Sequence, residues 1–141
     1  MEIKIGTHTE LGNAVDKLRQ MVFIEEQGVP KEEIFDGMDL QAVHVVILDG
    51  DTPTATARIL NNGNNWRIGL VAVAKSRRGQ HLGEKVMKVA MDYIIANGGK
   101  EIILTAQQQV HGFYEKLGFA QCGEGEELES GVVLVPMNYC R

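Results

Sequence analysis

A chain of 141 residues is the size of one domain, and with 44% apolar and 23% charged side chains it can bury a core unaided, which excludes a disordered or disulfide-stapled chain. The 19 acids against 14 bases give a net charge of -5, which argues against a general nucleic-acid or anionic-membrane surface. Only Cys122 and Cys140 carry thiols, with no CxxC pair and no Cys/His cluster at ligand spacing, so no metal is expected and two reduced thiols in a cytoplasm are. Met1-Glu2-Ile3-Lys4 brings charge too early for a signal peptide, and nowhere do 18 apolar residues follow one another.

In chain order, Glu2 to Ile5 reads as a short strand ended by Gly6. Thr7 and Glu10 form a capping box, and Leu11, Ala14, Val15, Leu18 and Val22 recur on one face of a helix expected from His8 to about Phe23. Gly12 weakens its first turn. Residues 27–40, with Gly28, Pro30, Gly37 and scattered acids, read as a loop or a short irregular helix. Ala42 to Leu48 and Thr54 to Leu60 form an antiparallel hairpin, and after the turn Asn61-Asn62-Gly63-Asn64-Asn65 a third strand runs from Trp66 to Ala74.

Leu82, Val86, Val89, Ala90, Tyr93 and Ile94 then recur at helical spacing up to the stop Asn97-Gly98-Gly99. Ile102 to Thr105 is a short buried strand, so strand, helix and strand follow one another as in a right-handed crossover between parallel neighbours. A third helix is expected from Gln108 to Leu117, stopped by Gly118, and the last strands are Phe119 to Gly123 and Val132 to Asn138, with an acidic loop between them. The whole, residues 1–141, reads as one α+β domain on a mixed, mostly antiparallel sheet with helices on its faces.

Lys75 to Gly83 joins a strand to a helix start through a compact basic turn. Free amides and the helix dipole favour an anion there, Gly79 and Gly83 let a phosphate approach the main chain, and Lys75, Arg77 and Arg78 add donors; a diphosphate suits such a turn best. A solvated basic loop is the plainer alternative. Neither GxxxxGK[ST] nor GxGxxG is present. Further on, Phe113 and Leu117 lie four apart on one helical face and can enter the core, while Tyr114 faces elsewhere.

The run Arg78-Gly79-Gln80-His81-Leu82-Gly83 resembles the pyrophosphate-binding motif of the GNAT superfamily of N-acetyltransferases, with His81 where that family usually has Gly. Leu104 to Phe119, which contains Gln107, Val110, Phe113-Tyr114, Lys116 and Gly118-Phe119, resembles the family's second signature almost position for position. Arg19, Val22-Phe23, Glu26-Gln27, Pro30, the acids Glu33, Asp36 and Asp39, and Ala42-Val43-His44 are similar to the narrower ElaA/YjcF-like branch.

This resemblance implies a GNAT-like fold and an acetyl-CoA-dependent enzyme that passes acetyl directly to a primary amine in a ternary complex. It implies coenzyme contacts from Leu70, Ala72 and Val73, with the Val73 amide as donor to the acetyl carbonyl, and from Arg78, Gly79, Gln80, His81, Leu82, Gly83, Gln107 and Phe113. His81 either donates to the diphosphate or points to solvent. Tyr114 is implied as the acid that protonates the departing thiolate, and a phenol pKa of about 10 suits that role.

An amine must lose a proton before it attacks, and the candidates for base are Glu26, His44, Asp36 and Asp39. His44 has an alternative as a core-edge residue fixed by one hydrogen bond. Arg19 either pairs with Glu26 or Asp36 or binds an acceptor carboxylate. ElaA-like chains usually place Arg before the Val-x-Val strand, and Leu70 in that place implies a less anionic or differently oriented acceptor. Cys122, among apolar neighbours, is expected to be a buried inert thiol, and His111 to make a surface contact with Glu115.

The acceptor is a small-molecule amine or a peptide or protein amine, and Val132 to Val135 offers a strand for a homodimer. A noncatalytic acyl-CoA-binding or sensor domain is the competing function, and a protein-interaction domain without coenzyme is a third.

Overall fold

The computed structural model describes residues 1–63 and 65–140, so Asn64 of the expected 61–65 turn lies outside the described residues. Strand β1 (Glu2–Gly6) leads into helix α1 (His8–Arg19), whose capping box forms: Glu10 N–H donates to Thr7 Oγ1 at 3.4 Å and Thr7 N–H to Glu10 Oε1 at 3.0 Å. Val15 and Leu18 carry the buried face. Gly12 makes room for the folded-back ring of His8, whose Cε1 would lie 2.9 Å from a Cβ there. The expected helix to Phe23 does not stay α-helical: from Gln20 to Glu26 it widens into a π turn, which carries Phe23 and Glu26 onward in one rod. The irregular stretch that follows holds a single turn, α2 (Lys31–Ile34), and a 3₁₀ turn, Asp39–Gln41.

Strands β2 (Val43–Asp49), β3 (Thr52–Asn61) and β4 (Trp66–Val73) form the antiparallel meander. Helix α3 (Leu82–Ala96) connects β4 to β5 (Glu101–Gln107), and these two strands are parallel. The third helix is shorter than its pattern implies: a 3₁₀ turn, Gln108–Val110, precedes α4 (His111–Glu115), and Gly118 at φ 100° ends the segment. The closing strands are β6 (Ala120–Gln121), β7 (Glu126–Glu127) and β8 (Val133–Cys140). The acidic loop therefore contains a strand its charges concealed, paired with β8 through Glu126↔Leu134.

The sheet order is β1-β2-β3-β4-β5-β8-β6, and every pair except β4 with β5 is antiparallel. Alternation along the strands separates two faces. Val45, Ile47, Ala55, Ala57 and Ile59 pack with Val86, Met87, Ala90 and Ile94 of α3, whereas Leu18 and Val22 meet Ala72 and Ala74 on the α1 face. This is the mixed α+β arrangement expected from the order of elements, with helices on both sides. Among the described residues no helix is long and apolar enough to cross a membrane.

Candidate active site

Only Trp66↔Ile102 and Arg67↔Ile103 join β4 to β5; beyond them the strands part, and β5 continues with β8 as far as Gln107↔Leu134. The wedge is a cleft of about 570 Å³ lined by both strands and by Val22, Phe23, Gln27, Arg78, Gly83, Phe113 and Tyr114. β4 also carries an extra residue: Thr56 opposes Ala72 and Arg58 opposes Gly69, so Leu70 and Val71 together face Ala57. Leu70 takes φ 47° to make this bulge, an unusual conformation for a non-glycine. Past the bulge, the amide of Ala74 donates to Thr54 O at 2.8 Å. By alternation the peptide groups of Val73 turn away from β3, toward the open side of β4.

At the end of β4 a 3₁₀ turn (Lys75–Arg77) leads into α3, with Gly79 at φ 85° and His81 at φ 61°. His81 thus holds a left-handed conformation while its side chain, 86% exposed, lies 3.7 Å from Glu84 through Nδ1. Of its two readings, the structure supports the one in which the imidazole points to solvent. A Cβ at Gly83 would lie 3.4 Å from Phe113 Cζ and 3.5 Å from Val73 Cγ2, so this glycine keeps the cleft wall thin.

Two of the three expected cationic donors are already paired with carboxylates of the protein. Arg77 Nη1 donates to Asp49 Oδ2 at 2.7 Å. Arg78 reaches the cleft, where Nη1 and Nη2 grip Glu26 at 2.6 and 2.8 Å while Nε and Nη2 donate to Val73 O at 3.2 and 3.1 Å.

Gln107, at the end of β5, lines the cleft and accepts from Gln109 Nε2 at 2.8 Å. Phe113 and Leu117 pack on the core as their spacing implies, but Tyr114 does so too. Its ring meets Phe113 edge-on at 5.0 Å and Phe119 at 6.3 Å, because the short α4 presents adjacent residues to the same wall. Burial raises its pKa above the ordinary phenol value, so the hydroxyl stays protonated throughout the neutral range. His111 lies 3.5 Å from Glu115, the surface contact expected of it.

The candidate bases are engaged elsewhere. Glu26 is locked on Arg78, whose hydrogen bonds hold its carboxyl below the usual range. His44 is 0% exposed, with Nδ1 3.3 Å from Arg19 Nη2 and Nε2 3.2 Å from Asp39 O. Arginine has only donors, so Nδ1 must accept and Nε2 must carry the hydrogen: His44 is a neutral buried strut, not a base at the cleft. Arg19, also 0% exposed, donates to both oxygens of Asp39 at 2.8 and 2.9 Å, so its partner is neither Glu26 nor Asp36.

Asp36 is taken by Arg58 in a fork of 2.8 and 2.9 Å. Arg58 was not singled out in the sequence, although an arginine amid the apolar run Thr54 to Leu60 needs an anionic partner wherever that strand is buried. Among the described residues lining the cleft there is no carboxylate and no imidazole. Cys122 is exposed, as is Cys140, since β6 lies at the sheet edge and leaves its end uncovered; the expected burial of Cys122 does not hold.

Comparison with known proteins agrees with this geometry. The acetyltransferase (GNAT) domain family matches residues 14–140, and the chain belongs to that family. It is 34% identical over 116 residues to the N-acetyltransferase YjcF of Bacillus subtilis, covering 82% of each chain. The Escherichia coli ElaA crystal structure superposes with a TM-score of 0.89 at 29% identity over 99% of both chains. An acyl-CoA N-acyltransferase from Pseudomonas aeruginosa does so with 0.89 at 26%, again over 99% of both. The resemblance to the ElaA/YjcF-like branch therefore holds. An aminoglycoside 6'-N-acetyltransferase solved with coenzyme A shares the fold, with a TM-score of 0.78 at 16% identity over 99% of this chain and 97% of that one.

Proposed function

We propose that the protein transfers acetyl from acetyl-CoA to a primary amine by direct attack in a ternary complex. Acetyl transfer to an amine is general for the family. The observation that carries the reading is the cleft itself: Val73, Gly83 and Tyr114 all line one wedge between strands that part after two paired positions. The start of α3 offers main-chain amides to the diphosphate over residues 79–83, and Gly79 and Gly83 bring no side chain to obstruct it. The edge of β4 around Leu70, Ala72 and Val73 would pair with the pantetheine arm through the Val73 amide, the Val73 carbonyl being held by Arg78, with Gln107 and Phe113 on the opposite wall. A Val73 amide on the acetyl oxygen would stabilise the negative charge that develops during attack.

Tyr114, kept protonated by burial, is the proton donor to the leaving sulfur. No carboxylate or imidazole among the described residues lines the cleft, so the amine's proton leaves through water, or the amine arrives neutral. The acceptor is a small-molecule, peptide or protein amine in a cytoplasmic setting, and Leu70 in place of a cation favours one that is less anionic or differently oriented.

The same lack of a base favours a second reading, a domain that binds acyl-CoA without turnover. Calorimetric titration with acetyl-CoA, followed by thiol release across a panel of amines, tests both. Binding with amine-dependent thiol release supports the enzyme; binding without release from any amine supports the second reading. No binding by folded protein sinks both.

A further inference from the structure

The turn before α3 and the π rod beside the cleft are fastened together by one ion pair. Glu26 closes the π turn, Arg78 precedes α3, and they stand 52 residues apart in sequence. The guanidinium faces two acceptors at once. Nη1 donates to Glu26 Oε2 at 2.6 Å, Nη2 to Glu26 Oε1 at 2.8 Å and to Val73 O at 3.1 Å, and Nε to Val73 O at 3.2 Å. Of the five N–H groups of an arginine, four are therefore directed at protein oxygens. A diphosphate could take the side chain in a two-point grip only by displacing Glu26. The carboxylate in turn lies beside a strand whose open edge the coenzyme arm would use.

We propose that Glu26 is a positioning residue: through Arg78 it holds the Val73 peptide in place at the cleft, so that the Arg78 side chain serves β4 and leaves the diphosphate to main-chain amides. The proposal rests on the acetyl-CoA reading of the cleft. It reassigns two residues at once, Glu26 from base and Arg78 from anion ligand. It also links the π rod beside the cleft to the edge that would meet the acyl group. The linkage is mechanical, since the π turn that ends at Glu26 also sets Phe23 and Gln27 against the cleft.

The test is a cycle of Glu26→Gln, Arg78→Gln and the double variant, with the Kd for acetyl-CoA measured by calorimetry. The side chains are 26% and 42% exposed, so solvent screens the pair and each single change should weaken binding only about two- to fivefold. The double variant should be no weaker than either single one, because both remove the same contact. Were Arg78 a direct diphosphate ligand restrained by Glu26, Glu26→Gln would tighten binding while Arg78→Gln weakened it. That outcome, or an unchanged Kd in Glu26→Gln, overturns the proposal. If the wild type binds no acetyl-CoA, the function reading fails and hydrogen exchange decides the clamp alone. Faster exchange at residues 71–74 in both single variants upholds it, and unchanged exchange overturns it.

Discussion

Asp39 Oδ1 accepts from Arg19 Nη1 at 2.8 Å and from Arg58 Nη1 at 3.4 Å, so one carboxylate stands between two buried cations. Arg19 comes from α1, Arg58 from β3 and Asp39 from the 3₁₀ turn before β2; the three tie the irregular 27–41 segment to the sheet. Their role is structural, on the α1 face and outside the cleft lining. Asp39→Asn leaves Arg19 without its anion at 0% exposure, and loss of one partner of a buried pair costs roughly 3–5 kcal/mol. Urea denaturation of the variant should show a drop of that order. Asp36→Asn, where the carboxylate is more exposed and Arg58 keeps Asp39, should cost clearly less.

The same network predicts how stability responds to acid. Burial, the main cause, depresses the pKa of His44, and protonation would set an N–H at Nδ1 against a donor of Arg19. A group with a folded pKa below its unfolded value favours folding above the unfolded pKa, and that share is lost as pH falls toward the folded one. Thermal midpoints should therefore be level above the ordinary histidine value of about 6.5 and decline below it. Asp39 carries the opposing effect of burial but is held low by Arg19 and Arg58, and Asp36 by Arg58. A second decline should follow below about pH 4, where unfolded aspartates begin to take up protons. His44→Asn should remove the first decline and keep the second.

His81 adopts φ 61°, in the left-handed region that favours glycine. A left-handed conformation costs a side-chain-bearing residue about 1–2 kcal/mol, and glycine escapes that cost at some loss of chain entropy. His81→Gly should leave the fold intact and raise stability by up to about 1 kcal/mol in thermal melts. Its affinity for acetyl-CoA should be equal or higher, since the imidazole points to solvent.

Tyr114→Phe keeps the ring that packs against Phe113 and Phe119 and removes only the hydroxyl. Acetyl-CoA affinity should stay close to wild type while kcat falls about 10²-fold, the lower end for a general acid because a thiolate needs little help to leave. As burial raises the phenol pKa, no alkaline loss of kcat from this group should appear below about pH 10. Equal kcat in the two proteins would remove Tyr114 from the chemistry.

The elements with strong periodicity were legible from residues alone: the capping box at Thr7, the α3 stripe and the meander all appear where their patterns put them. The π turn was not, because widening by one residue leaves the apolar spacing of Leu18 and Val22 intact and no local residue announces it. β7 was hidden for a different reason. Its glutamates solvate a hairpin edge, and composition cannot distinguish that from a loop. For the site, the two motifs gave Gly83, Gln107 and Tyr114, and the strand before the first gave Val73, all of which line the cleft. The partners of the charged residues were beyond reach: the spacings from Glu26 to Arg78 and from Arg19 to Asp39 follow from folding, and a sequence offers each cation several plausible anions.

The bulge in β4 sets limits on how the protein can change. Before it, Ile68 faces the α3 core; after it, Val71 and Val73 do so, although an uninterrupted strand would have turned 68 and 71 to opposite faces. The strand is thus two half-strands of opposite phase, joined by one extra residue. Deleting Leu70 would restore regular pairing at the point where the cleft begins and keep Ile68, Val71 and Val73 on one face, because it brings 68 and 71 two positions apart. Straightening β4 with every residue kept, by contrast, would turn half of the strand inside out. The bulge at the mouth of the cleft thus rests on a single inserted residue, which the core accommodates and does not require.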